Sequence, residues 1–440
     1  MGRPTIAWML GVPFIAGIVL SGCSSSSHGK ENQRSATAAV IRVPQDASTI
    51  SAAVKRARPG AVVLVSPGTY REMVQVRTPR VTVRGTDRNR VVIDGEVRRP
   101  NGIVLVGPGD AVQNLTVRNA TLNGVLVTGA VDAHGNGIGR GSDGYAPPNA
   151  SKFKPVDGFL VDHVTSYDNG LYGVYAFDAI NGAIRDSYVS GMADSGIYVG
   201  QCKPCHVAVY GNVAERNAVG YEGTNASGAI YVYGNRFVGN RVGATTNSEH
   251  QEALLPQTDS LIAGNVIAAN DQAHTPEQAD GGFGIGFGIA GGTNNVVRDN
   301  RIEANPVAGV QITNSDDLPP IGNQIQNNLL RDNGADLVYS AASAAAGSGN
   351  CLAGPAAIVR PARFPRRCPA TGGVAAAPPP VSHAPPGIPF TDVPSPPLLA
   401  QLPAAATAPP PSVAAAAAPS GAASAVPPAD LLSSQSTIRW

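Results

Sequence analysis

A short phrase ending in asparagine recurs through the middle of this chain, and no other feature restricts the possible folds so tightly. VYGNVAERN ends at Asn217, VYGNRFVGN at Asn240, LIAGNVIAAN at Asn270, VVRDNRIEAN at Asn305 and IQNNLLRDN at Asn333. Asn212, Asn235, Asn265, Asn300 and Asn328 fill the first asparagine slot, and the second follows five residues later. Successive copies are separated by about 23, 30, 35 and 28 residues, the range of solenoid repeats. The shortest gap approximates one bare coil, and the longer ones carry insertions.

Within each copy an alternating run such as Val207–Tyr210 reads as a strand, and Gly-Asn then turns the chain. A second short strand ends at the next asparagine. A glycine-led strand such as Gly196, Ile197, Tyr198 and Val199 completes the circuit. Three short strands and three turns leave no room for a helix, so each period is one coil of an all-β, single-stranded parallel β-helix. Val174, Ile197, Val310 and Ile312 should point inward in continuous apolar rows. The stacked asparagines are expected to adopt the left-handed conformation and bond amide to amide, with no catalytic role.

Composition agrees. A charged fraction of 14% and 51 glycines suit one elongated solenoid, and 5% aromatic residues suit a narrow aliphatic core. A net charge of +1 argues against nucleic acid as a partner, and a monomer is expected.

Near the start, Arg3 precedes an apolar run from Ile6 to Leu20, too short for a membrane span and suited to a signal peptide over residues 1–22. Leu20, Ser21, Gly22 and Cys23 resemble the bacterial lipobox. That resemblance implies lipidation at Cys23, a tether over 23–36 and a place on the outer leaflet of the cell membrane, in the envelope. An exported chain would pair its remaining cysteines, most simply Cys202 with Cys205 and Cys351 with Cys368.

Residues 37–100 read as an N-terminal cap and first coils: a strand at Val40–Val43, then a short helix from Ser48–Ile50 through Ala57 with Ile50, Ala53, Val54 and Ala57 on its apolar face. The pattern TI..A...A.PG..V.V.PGTY...V...VTVRG....VIDG resembles the opening of pectinesterases and related right-handed parallel β-helix proteins. Among these are polysaccharide lyases, alginate epimerases and accessory proteins of nitrous oxide reductase. The resemblance covers residues 40–340 and implies a right-handed, pectin-lyase-like solenoid. Coils should fill 101–340, a disulfide-clipped cap 341–369, and a disordered Pro/Ala-rich tail 370–440.

Insertions after the glycine-led strands should stack along one edge, carrying Asp132, His134, Asp143, Asp178, Asn225, the run Ser248–Glu252, and Asp316 with Asp317. On that strand Tyr175, Tyr198, Glu222, Thr245 and Gln311 point outward. Tyr175, Tyr198 and Gln311 are the expected ligand contacts, forming a sugar-stacking lane. Glu222 with His250, Glu249, Glu252 and Asp178 is the expected acid/base cluster, since abstracting a proton from a uronic acid needs a base and a stabilised carboxylate. No metal-ligating set is assigned, and no cofactor is specified by the residues themselves. The resemblance admits Ca²⁺, which lyases of this fold hold with carboxylates. His163 and His206 read as ordinary coil residues.

Motifs of polygalacturonases and pectinesterases are missing, and the epimerase motif has only an echo in Tyr172–Asp178, without its Pro-His-Asp. The leading function is therefore recognition, with lyase- or epimerase-type modification as its extension, of a polysaccharide or cell-wall glycan. A non-catalytic envelope scaffold or adhesin is the alternative. Metallocofactor delivery is a third reading, opposed by the lack of a Cys/His/Met array.

Overall fold

Val40–Val43 opens the first coil, and the helix Ile50–Arg56 plugs its open end. The structure is a computed structural model that describes residues 39–131, 154–279, 281–402, 426–428 and 430. The Thr49 hydroxyl caps the helix by accepting from the Ala52 N–H, and Glu72 accepts from the N–H groups of Ile50 and Ser51. Ile50, Ala53, Val54 and Ala57 are buried, as their spacing predicts. The proposed signal peptide, Cys23 and the tether lie outside the described residues, as do Asp132, His134 and Asp143.

Beyond the helix the chain winds as a right-handed parallel β-helix with three faces. Every ladder between named strands is parallel, each strand pairing with its counterpart one coil on, as in Val207–Tyr210 with Ile230–Tyr233 and then Ser260–Ala263. The long strands Asp110–Arg118 and Val156–Tyr167 each serve two faces. The third face is an 11-stranded sheet from Val74–Val76 to Val359–Arg360. Val174, Ile197, Val310 and Ile312 are fully buried in one continuous core.

Both asparagine columns form. Asn212 donates from its backbone and side-chain nitrogens to Asn235 Oδ1, Asn235 does the same to Asn265, and Asn265 to Asn300. The second column runs from Asn217 through Asn240, Asn270 and Asn305 to Asn333 in the same way. A third column, not anticipated, links Asn295, Asn323 and Asn350. The expected left-handed asparagine is corrected. The residue before it takes that conformation, at Gly211, Gly234, Gly264, Asp299 and Asn327. That residue bends the corner, leaving the asparagine free to aim its amide along the stack.

Cys202 is bonded to Cys205 and Cys351 to Cys368. The segment expected to be a disordered tail is not one over its described part. Ala377 donates to the Tyr339 carbonyl at the last coils, and the chain then runs back along the solenoid. Ser382 bonds Phe283, Ile388 bonds Thr275, and Val393 and Leu399 are buried. Leu399 packs with Tyr188 and Val213 and exchanges hydrogen bonds with the Asn89 side chain, while Leu402 donates to Asn114. Arg88 and Arg241, the two largest fully buried side chains, hold this strap by donating to Ala400 and Pro385. Composition alone hides this, because the seat is distant in sequence, 99 residues away at Phe283 and 310 at Asn89.

Candidate functional site

Outward positions on the third face form a row, one residue per coil. Tyr175 pairs with Tyr198, Tyr198 with Glu222, Glu222 with Thr245, Thr245 with Gly288, and Gly288 with Gln311. The direction expected for these side chains is correct, but their surroundings split the row in two.

The tyrosine half is closed. Tyr175 and Tyr198 are 1% and 0% exposed, packed in a second apolar layer with Val104, Leu126, Tyr172 and Phe177. Tyr172 stacks on Tyr175 at 4.3 Å, and Tyr198 lies 5.0 Å from both. These rings therefore have no free face for sugar, because they satisfy one another. The Tyr198 hydroxyl donates to Glu252, which is itself buried. Burial, with Glu252 as the next cause, raises the phenol's pKa well above its ordinary value, so Tyr198 stays protonated.

The other half opens into a cleft of about 200 Å³ lined by Glu222, Thr245, Asn247, Glu249, Gly288 and Gln311, with Gln278, Gly281 and Gly282 as one wall. Gly288 has no side chain, so the floor is open between Thr245 and Gln311. Gly281 and Gly282 sit at φ of 78° and 100°, the region that favours glycine, and turn the wall without adding bulk. Glu222 is held by Ser195 Oγ at 2.5 Å, Thr224 Oγ1 at 3.0 Å and Asn247 Nδ2 at 3.5 Å. Ser195 Oγ also lies 3.2 Å from Asp194 Oδ1, which accepts from Gln278 Nε2 at 2.8 Å. Two carboxylates and a set of amides and hydroxyls thus converge, with no basic residue among the described lining. Such a lining can bind hydroxyl groups and move a proton.

Of the expected acid/base cluster, Glu222 and Glu249 meet in this cleft together with the expected contact Gln311. Glu252 stands behind it on Tyr198. His250 is exposed, 2.7 Å from Asp317, and does not line the cleft. Asp178 sits at a corner on the Tyr175 coil, in the left-handed conformation, with burial raising its pKa to about 6. Its folded pKa lies above the unfolded value of 3.8, so its ionisation penalises the fold increasingly between about pH 4 and pH 6 and fully above. Asp178→Asn is accordingly expected to stabilise the protein by about 1–3 kcal/mol at pH 7. Thermal melts should show that gain disappear at pH 4.

A second cluster was not anticipated. Asp162, His163 and Asp186 place ligand atoms within 4.8 Å of one another, so they could coordinate a cation. The expectation that a cation is possible therefore stands, with these three residues as a ligand set left unassigned from the sequence. The signal was available: Asp162 pairs with Arg185, so Asp186 follows the Asp162–His163 pair by one coil. His163 Nδ1 lies 2.6 Å from Asp162 Oδ1, while Arg185 and Gln113 donate to Asp162 Oδ2 at 2.9 and 2.8 Å. Burial pushes the Asp162 pKa up, but these hydrogen bonds outweigh it and hold the carboxyl below its ordinary value. Burial raises that of Asp186.

Among solved structures, similarity extends to the A-module of a mannuronan C-5 epimerase from Azotobacter vinelandii, at 14% identity over 68% of this chain and 87% of that one, with a TM-score of 0.38. The lidless DFA-IIIase from Arthrobacter chlorophenolicus gives 13%, 71%, 94% and 0.44. A periplasmic alginate epimerase gives 15%, 70%, 84% and 0.35. No curated protein matches. The family model described as "Periplasmic copper-binding protein (NosD)" matches residues 64–259 and 168–347, which together span well over half of the 440 residues and most of the coils, and the chain belongs to that family.

Proposed function

We propose that this chain binds a neutral saccharide in the cleft over Glu222, Thr245, Gly288 and Gln311. The register carries this reading: one outward residue per coil, at the parallel-strand spacing of about 4.8 Å, presents polar groups in a line on the scale of a sugar chain. The polar part of the described lining is made of carboxylates, amides and threonine hydroxyls, a set of hydrogen-bonding groups that suits a hydroxyl-rich, uncharged ligand better than a uronate. Glu222, anchored by three donors, is the residue best placed to take or give a proton if the ligand is also modified. An envelope setting belongs to this reading, with Leu20–Cys23 as its sequence support.

Calorimetry with cellohexaose, xylohexaose and mannohexaose, against a mannuronate hexamer, tests it. At least one neutral hexasaccharide should bind more tightly than the uronate. Gly288→Leu, which fills the floor, and Glu222→Gln should each weaken that binding about tenfold or more, on the order of 1.4 kcal/mol. Equal binding by the Gly288→Leu variant would remove the cleft from consideration.

The family description names copper, and the residues fit only part of that chemistry. Cu(I) selects sulfur, but among the described residues Cys202, Cys205, Cys351 and Cys368 are spent in disulfides, and Met192 is buried in the coil stack. Met73 lines a cavity beside the N-terminal helix with no second sulfur in its described lining. Asp162, His163 and Asp186 offer oxygen and imidazole donors suited to a borderline divalent cation, with Arg185 already neutralising part of Asp162.

A further inference from the structure

The strap and the cleft are joined by an unbroken set of contacts. Arg241 is 2% exposed. Its guanidinium donates to the Pro385 carbonyl on the strap, lies 5.1 Å over the Phe283 ring, and stands 3.8 Å from Glu277. Ser382 Oγ donates to the Phe283 carbonyl at 3.1 Å, and Ile388 N–H to the Thr275 carbonyl at 3.0 Å. The strap therefore bonds the wall on either side of its cleft-facing residues, at Thr275 and at Phe283. Between those bonds lie Gln278, Gly281 and Gly282, the residues that face the cleft. Gln278 then reaches Asp194, and Ser195 links Asp194 to Glu222.

We propose that the C-terminal strap, through Arg241 acting as a positioning residue, fixes the wall of the cleft and thereby sets its affinity for saccharide. The wall has little of its own to hold it. Among the described residues it contains no helix or strand between Val266–Ala268 and Ile285–Ala290, and Gly281, Gly282 and Gly284 sit at positive φ. Backbone bonds hold its flanks, Gln272 N–H to the Asn240 carbonyl and Gly284 N–H to the Arg241 and Asn270 carbonyls. Between them only Gly281 N–H to the Gln278 carbonyl joins the described wall residues that face the cleft, so the strap contacts around Arg241 supply the rest. With the strap seated, Gln278 is held at bonding distance from Asp194. With it released, the wall loses both bonds at once, and an adaptable wall binds more weakly because ordering it opposes binding. This inference rests on the cleft being a ligand site, but its first consequence does not require a ligand.

Hydrogen exchange on the full-length, ligand-free protein provides that first measurement. Arg241→Ala and Ile388→Pro, the latter removing one strap donor from outside the core, should each accelerate exchange of residues 271–279 and 281–284 at least tenfold. Amides of the Val219–Ala226 strand should be unchanged, and Arg241→Lys should fall between wild type and Arg241→Ala. The second measurement is affinity for whichever of the three neutral hexasaccharides the wild type binds. Both variants should lose about tenfold, and combining either with Gln278→Ala should add little to the loss from Gln278→Ala alone. Unchanged exchange in the wall would overturn the proposal, as would accelerated exchange with wild-type affinity. Should no hexasaccharide bind the wild type, the saccharide reading fails, while the exchange result still decides whether the strap orders the wall.

Discussion

Asn235→Ala should lower stability by about 3–5 kcal/mol, although Asn235 is no core hydrophobe and does not line the cleft. Asn235 is fully buried, and its side chain serves four partners. Oδ1 accepts from the backbone and side-chain nitrogens of Asn212, both at 3.0 Å. Nδ2 donates to the Val209 carbonyl at 2.9 Å and to Asn265 Oδ1 at 3.0 Å. Alanine removes all four bonds and leaves the Asn212 N–H and the Val209 carbonyl enclosed without water. Each such orphan costs about 1–3 kcal/mol, more than the net gain from making a hydrogen bond. Denaturant titration followed by far-ultraviolet circular dichroism would check this. A loss below about 1 kcal/mol would mean that the column shapes the corner without stabilising it.

Arg88→Ala should be about as costly, on the order of 3–4 kcal/mol, and should also free the far end of the strap. Arg88 is 1% exposed, and no carboxylate hydrogen-bonds its guanidinium. It donates to Thr165 Oγ1 at 2.9 Å and to the carbonyls of Val164, Asp186 and Ala400 at 3.0, 3.2 and 2.9 Å. Burial lowers its pKa to about 10, so it remains charged at neutral pH. That depressed folded pKa means the burial cost persists at neutral pH and is relieved only as pH rises through about 10. Removing the side chain leaves three carbonyls and a cavity. Arg88→Met keeps the aliphatic stem and should lose less. Limited proteolysis should cut residues 393–402 faster in Arg88→Ala than in wild type, and an unchanged rate would mean Leu399 and Asn89 suffice to seat the strap.

Much of the scaffold was legible because its determinants are local or periodic. The Thr49 cap, the apolar spacing of Ile50, Ala53, Val54 and Ala57, and the two asparagine columns can each be read within one coil or by comparing neighbours. Outward direction at Tyr198, Glu222 and Gln311 was equally readable, since strand alternation fixes it. What covers an outward residue is a tertiary property, so strand alternation alone cannot show that Tyr175 and Tyr198 are buried. The strap was missed for the same reason. Its prolines and alanines look alike whether solvated or seated, and the deciding groups are Arg88, Asn89 and Arg241. The left-handed positions are legible too, at Gly211 and Gly234, one residue ahead of the asparagines.

A stack of coils in which each touches only its neighbours behaves like a one-dimensional lattice, free to fray from either end. The bonds from Leu399 to Asn89 and from Leu402 to Asn114 join positions separated by 310 and 288 residues, while Ala377 is tied to Tyr339 near the opposite end. These contacts turn the line into a closed circuit. Opening an end coil then has a cost felt along the whole stack, so melting gains cooperativity that nearest-neighbour pairing cannot supply. The same contacts raise the mean sequence separation that folding must bridge, which slows the last step of assembly. The strap can seat only where Asn89 and Asn114 already stand in formed coils, so its docking is expected to be the last step.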